Sequence, residues 1–329
     1  MRTTASILAL LVTGIIACGE KPPAPPPPDS AATKAEKPLP AGEARLAVDG
    51  GRIWYKVSGA GSGTPAILVH GGPGFSSFYL KPLEAINDDR PVVRYDQLGG
   101  GKSDSLSDTT RMNIPHFVAE LDSLRVHLGY DRVHLIGHSW GTILALEYYR
   151  AHPTHVASLT LESAALDIPQ WERHARDLVK TLSSGAQAAI RQADVDGKYD
   201  VPAYRAAIDE FYGKYVWLHP RQPDLDSTFA TVNETIYNYM QGPSEFTITG
   251  TLKHYDATPF LRHVKVPVLF TVGEFDEADP RTIARQAEMT PGAKIAVIPG
   301  AAHMTAWDNP KANVEVVRAF LRKVDSLKP

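Results

Sequence analysis

Five residues constrain this chain more than any others: Gly137-His138-Ser139-Trp140-Gly141. The pattern G-x-S-x-G is that of a nucleophile elbow, a serine held on a tight turn between a strand and a helix. The flanks fit. Val133, Leu135 and Ile136 read as a short buried strand, and residues 142–149 read as a helix. Glycine on both sides of the serine permits the close backbone approach and unusual dihedrals of so sharp a turn. The serine hydroxyl would then stand at the carboxyl edge of a parallel sheet, beside a helix N-terminus. Gly and Ser also mark ordinary turns. The strand before and the helix after select the nucleophile.

The surrounding chain alternates strands with helices. Residues 52–57, 66–70, 91–96, 156–161, 266–272 and 294–298 read as strands, with Gly59, Gly61 and Gly63 marking a hairpin-like connection between the first two. Phe117, Leu121, Leu124 and Leu128 recur at helical spacing over 113–128, and Gly129 follows where a C-terminal cap belongs. Asp279-Pro280 and Asn309-Pro310 each read as an N-cap followed by a proline in the first helical position. This alternation predicts an α/β fold, a mostly parallel sheet covered by helices on both faces. Residues 164–246 differ. They are rich in Trp and Tyr and show helical spacing, as in Tyr204, Ile208, Phe211 and Tyr215. They read as a helical cap inserted after the elbow region, dividing the core into 44–163 and 247–329.

The first 43 residues read as something other than fold. Arg2 supplies a positive charge, and residues 5–17 form an apolar run too short to span a bilayer, so 1–17 read as a signal peptide. The run ends Ile15-Ile16-Ala17-Cys18, which resembles a bacterial lipobox, with cleavage before Cys18 and lipid on its sulfur. Cys18 is the only cysteine, which excludes internal disulfides and a multi-thiolate metal site. Residues 18–43 are Pro- and Ala-rich and read as a tether. The expected location is the bacterial cell envelope, facing the periplasm and held by lipid, at the outer membrane because Gly19 rather than Asp follows the cysteine; the alternative is secretion. Membrane contact is expected only through Cys18. A net charge of −3 gives no reason to expect a nucleic acid partner.

A serine hydroxyl becomes a nucleophile when an adjacent base takes its proton, and that base needs an orienting carboxylate. In the α/β-hydrolase order these arrive as serine, acid, histidine. Of twelve histidines, His303 is best placed, in the loop after the strand 294–298 and so at the same sheet edge as the elbow. His138 adjoins the serine but points away on such a turn, which leaves it a supporting role. The acid belongs to the loop after 266–272, which offers Glu274, Asp276, Glu277 and Asp279. Asp279 is already explained as a helix cap, and spacing does not choose among the other three. An oxyanion hole needs backbone N–H groups. Trp140, following the nucleophile, supplies one, and Gly72 in the loop His70-Gly71-Gly72-Pro73-Gly74 supplies the other. The run Gly99-Gly100-Gly101-Lys102-Ser103 lacks the first glycine of a phosphate loop, since Asp96 stands there, and reads as a structural turn.

With these residues in place, the chain resembles the proline iminopeptidases, in particular the tricorn-interacting aminopeptidase branch, over about residues 45–327. The motifs that carry this are His70–Gly74, Asp96-Gln97-Leu98-Gly99, the elbow itself, Tyr239-Met240-Gln241-Gly242-Pro243-Ser244-Glu245-Phe246, and Gly273-Glu274-Phe275-Asp276-Glu277-Ala278. Leu98 stands where arginine is commoner in that family. The resemblance implies that Asp276 is the triad carboxylate and that Glu277 and Glu245 bind the substrate's free amino terminus. It implies a serine aminopeptidase that releases proline or another apolar residue from short peptides through an acyl-enzyme, with neither metal nor organic cofactor. An amino-acid amide or ester hydrolase is the alternative within the family, and a non-catalytic peptide-binding lipoprotein the alternative of another class.

Overall fold

The computed structural model describes residues 41–221 and 223–327. The expected signal peptide, Cys18 and the expected tether up to residue 40 lie outside the described residues. Eight strands form one sheet: β1 (Gly42–Val48), β2 (Gly51–Ser58), β3 (Ala66–Val69), β4 (Val92–Asp96), β5 (Val133–His138), β6 (Val156–Glu162), β7 (Val268–Gly273) and β8 (Lys294–Ile298). Their order is β1-β2-β4-β3-β5-β6-β7-β8. Only β2 runs against the rest, pairing antiparallel with β1 and β4. The central strands β3 to β7 are buried along their whole length, as expected of parallel strands covered on both faces.

Helices α1 (Ile114–His127), α2 (Trp140–Ala151) and α8 (Pro280–Met289) pack on one side. On the other lie a 3₁₀ stretch (Ser77–Ile86) and the pair α9 (Thr305–Asp308) and α10 (Pro310–Ser326). Between β6 and β7 the chain runs through five helices: α3 (Ile168–Val179), α4 (Ser184–Asp196), α5 (Pro202–Tyr215), α6 (Pro223–Ala230) and α7 (Glu234–Met240).

The hairpin-like connection expected between β2 and β3 is not formed, because β4 lies between them. The Gly-rich link instead crosses the start of β4, where Gly63 N–H donates to Asp89 O at 3.1 Å and Ala66 N–H to Pro91 O at 2.9 Å. A Cβ at Gly59 or Gly61 would be driven into the backbone of residues 87–90. The glycines serve a crossing, not a turn.

After β3 the chain leaves to build β4 on one side and returns to build β5 on the other. Loops following β3 and β5 therefore diverge, opening a crevice at the carboxyl ends of the strands. The loops after β6, β7 and β8 end at that same edge.

Candidate active site

Ser139 occupies the turn between β5 and α2 with φ 55° and ψ −123°, a left-handed conformation costly for any residue but glycine. The turn fits only because its neighbours are small. A Cβ at Gly137 would enter the carbonyl of Gly141, and one at Gly141 would enter the carbonyl of Val69 on β3. Ser139 N–H donates to Glu162 O at 3.0 Å, which anchors the turn to β6. The side chain is partly exposed, and among the described residues its hydroxyl has no hydrogen-bond partner.

His303 lies in the loop between β8 and α9, 3% exposed. Its Nδ1–H donates to Asp276 Oδ1 at 2.9 Å, which leaves Nε2 of the neutral ring with a free lone pair. Trp171 of α3 meets the ring edge-on at a centroid distance of 5.4 Å. His303 N–H donates to Tyr215 O at 3.1 Å and Met304 N–H to Val216 O at 2.8 Å, so the loop is fastened to the end of α5. Asp276 accepts further bonds from Ala278 N–H at 2.8 Å, Gly273 N–H at 3.2 Å and the Ser163 hydroxyl at 2.5 Å. Burial alone would push its carboxyl up. The His303 ring and these donors outweigh burial and hold it below the usual carboxylate range.

The other acids of the β7 loop separate cleanly. Glu274 accepts from Gly300 N–H at 3.0 Å and ties the β7 and β8 loops together. Asp279 caps α8, accepting from Arg281 N–H at 3.2 Å. Glu277 faces inward, 1% exposed, and among the described residues both its carboxylate oxygens lack a hydrogen-bond partner. One of them lies 3.9 Å from His303 Nε2. Glu245, from the segment after α7, is partly buried. It accepts from the Tyr237 hydroxyl at 2.5 Å and from Gln241 Nε2 at 3.3 Å. Burial, and then the charges of Glu245 and Asp276, push Glu277 well above its ordinary value. Loss of water likewise pushes Glu245 up, against the bonds from Tyr237 and Gln241.

Ser139, His303, Glu245 and Glu277 line one small cavity, together with Gly72, Phe75, Tyr212 and Phe229. A second chamber meets the first at Ser139, Gly72 and Glu245, and its other walls include Trp140, Ile143, Ala165, Ile168, Trp171 and Leu252. Gly72 lines both chambers and Trp140 the second. Trp140 is the first residue of α2, so its N–H is one of the donors a helix leaves unused. Among the described residues neither this N–H nor that of Gly72 donates a hydrogen bond to another.

The α/β hydrolase fold family matches residues 64–310. A proline iminopeptidase of Heyndrickxia coagulans is 40% identical over 285 residues, which cover 86% of this chain and 99% of that protein. Another, of Saccharolobus solfataricus, is 32% identical over 280 residues, covering 84% of this chain and 90% of the relative. The crystal structure of the proline iminopeptidase of Mycobacterium smegmatis superposes with a TM-score of 0.79 at 30% identity, covering 87% of this chain and 99% of that one. The chain belongs to the proline iminopeptidase family. It is an enzyme, a serine hydrolase.

Two contributors to this family member's site escape sequence reading. Ser163, directly after β6, takes φ 50° and aims its hydroxyl at Asp276. Its partner is 113 residues away, and only its position at the carboxyl end of the strand beside the elbow hints at it. Gln97 explains the Asp96–Gly99 motif. It donates through Nε2 to His70 O at 2.9 Å, accepts from Trp140 Nε1 at 2.9 Å, and gives its own N–H to His70 Nε2 at 2.9 Å. His70 Nδ1–H in turn donates to Gly71 O at 2.8 Å. The loop after β3 is thus tied to both the end of β4 and the elbow helix. Asp96 organises the glycine-rich turn, accepting from Ser77 N–H at 2.7 Å and Lys102 N–H at 2.8 Å.

Proposed function

We propose that this enzyme is a serine aminopeptidase that removes an N-terminal residue, proline or another apolar one, from short peptides with a free amino terminus. One observation carries this reading: two carboxylates, Glu245 and Glu277, share a small cavity with Ser139 and His303, and Glu277 is buried there with neither oxygen bonded. A buried, unpartnered carboxylate is costly unless something cationic completes it. An α-ammonium stands one residue from the first peptide bond, which places that bond at the serine. Each charge-assisted hydrogen bond to it is worth about 1.5–3 kcal/mol.

In this mechanism Ser139 Oγ bonds to the substrate carbonyl carbon as its proton passes to His303 Nε2. Asp276 holds the ring and the imidazolium charge. The N–H groups of Gly72 and Trp140 receive the oxyanion. Collapse breaks the C–N bond while His303 gives its proton to the departing amine, leaving the acyl group on Ser139. Water, deprotonated by the same histidine, then releases the amino acid and restores the serine.

The alternative, hydrolysis of small amino-acid amides or esters, uses the same atoms. A cleft of about 780 Å³ adjoins the reactive cavity and shares Phe75, Tyr212 and Phe229 with it. Room on that scale favours a peptide leaving group over a bare amide. A panel of aminoacyl reporter amides, prolinamide and proline-led dipeptides and tripeptides, each with free and acetylated amino termini, tests the reading. Equal cleavage of free and acetylated substrates would sink it, and preference for prolinamide over the peptides would favour the alternative.

A further inference from the structure

Tyr79 and His138 are buried beside the reactive centre and have no part in the chemistry above. His138 Nε2 lies 2.9 Å from His303 O, and a carbonyl oxygen only accepts, so Nε2 carries the hydrogen. Burial and the nearby His303 push the His138 ring down to about 3, so it is neutral and its Nδ1 is an acceptor. Tyr79 fills that acceptor at 2.8 Å. The Tyr79 oxygen, having donated its proton, accepts from Gly71 N–H at 2.6 Å. Bonding thus runs in one direction from the oxyanion loop to the backbone of the catalytic histidine: Gly71 N–H to Tyr79, Tyr79 O–H to His138, His138 N–H to His303 O. A further tie joins the same parts: Trp307 of α9, four residues beyond His303, donates Nε1–H to the backbone carbonyl of Tyr79 at 2.6 Å. The rings are stacked to match. Tyr79 and His138 have centroids 5.1 Å apart and edge-to-face, and those of His138 and His303 are 4.6 Å apart. His303 is held between His138 on one side and Trp171 on the other.

We propose that Tyr79 and His138 are positioning residues, a buried brace that sets the oxyanion donor of Gly72 and the ring of His303 at one fixed separation. Three loops, from β3, β5 and β8, deliver the oxyanion donor, the nucleophile and the base separately. The brace couples all three. It makes no bond to Glu245 or Glu277, so its loss acts on the transition state and leaves capture of the amine in place. The inference rests on reading Ser139 as the nucleophile, which loss of turnover in Ser139→Ala tests separately.

The experiment compares wild type, Tyr79→Phe, His138→Gln and the double variant by kcat and KM on a proline reporter amide. It also follows the rate at which a fluorophosphonate labels Ser139, a reaction that needs no free amine. Tyr79→Phe is expected to lower kcat roughly 10- to 100-fold, as a misplacement near 1 Å does, with KM within about threefold. Labelling should slow in parallel. Because the pair acts as a unit, the double variant should fall no more than about twofold below the worse single one. Unchanged kcat and labelling in folded Tyr79→Phe, a loss confined to KM, or additive losses would each overturn the brace. Should Tyr79→Phe fail to fold, His138→Gln alone breaks the brace at its other member, and the same readouts decide.

Discussion

Glu277 Oε1 stands 3.9 Å from His303 Nε2, yet neither oxygen of that carboxylate receives a hydrogen bond from the described residues. Asp276, the acid proposed for the triad, is the preceding residue and accepts four. Adjacent carboxylates in one loop therefore carry opposite burdens. Asp276 is satisfied, its carboxyl held below the usual range, and on the proposed reading it holds the base. Glu277 has no hydrogen-bond partner among the described residues, and on the proposed reading it awaits the substrate's ammonium.

Glu277→Gln should separate stability from function. Burial and the charges of Glu245 and Asp276 raise the Glu277 carboxyl well above 4.5. The folded protein then keeps a proton that the unfolded chain releases, so stability falls as pH rises from 4.5 through the folded value. The amide removes that loss. Calorimetry should show the variant melting roughly 2–4 °C higher than wild type at pH 8, with the difference vanishing near pH 4. In the same variant kcat/KM for free-amine substrates should drop about 10- to 100-fold, the worth of one charge-assisted bond.

Asp276→Asn tests the other member of the pair. An amide at that position accepts less well from His303 Nδ1–H and can turn its NH₂ toward the ring, favouring the wrong tautomer. A fall in kcat of about 10⁴ is expected, with the fold retained. Single-turnover acylation measurements would show whether the loss lies in attack by Ser139, and a change under tenfold would contradict the assigned role.

Ser163→Ala removes the hydroxyl that donates to Asp276 Oδ2 at 2.5 Å. Asp276 has a lowered folded-state value, so its contribution to stability is present above 3.8 and is lost as pH falls through that lower value. Without Ser163 the folded value rises back toward 3.8 and the loss begins earlier. Acid unfolding followed by circular dichroism should shift to higher pH, with about 1–2 kcal/mol less stability at neutral pH. kcat should fall roughly tenfold as His303 loses a firmly held partner.

What the sequence made legible was whatever is written locally. The elbow, its strand and its helix stand as read, and the caps at Asp279 and Asn309 each accept the backbone N–H that a cap should. Residues whose meaning lies in distant partners were not legible from spacing. Ser163 is an unremarkable serine until β7 brings Asp276 beside it, and Gln97 until Trp140 and His70 close around it. β1 escaped because its seven residues are mostly exposed at a sheet edge and adjoin the Pro-rich stretch, so no apolar face announces it. The glycine-rich link after β2 misled in the opposite sense. Its composition suits a turn, and only the position of β4 shows that the chain must pass close over another backbone. The charge at Glu245 has a buried-cavity meaning only when α7 and the elbow face one another, and no periodicity in the sequence encodes that.

Two glycines should respond oppositely to the same added methyl group. Gly141→Ala places a Cβ against the carbonyl oxygens of Val69 and His70, backbone atoms of β3 and its loop that cannot turn aside as a side chain would. Either the elbow helix or the oxyanion loop must then shift. The expected cost is about 3 kcal/mol or more, with fluorophosphonate labelling of Ser139 lost even in the fraction that stays folded. Gly213 sits inside α5, where an added Cβ meets nothing within 4 Å. Gly213→Ala should stabilise by roughly 0.4–1 kcal/mol, because alanine is the better helix former and narrows the unfolded ensemble, and kcat should not change. Paired denaturant melts and labelling rates check both. Equal behaviour of the two variants would mean that the close approach of Gly141 to β3 does not hold the elbow in place.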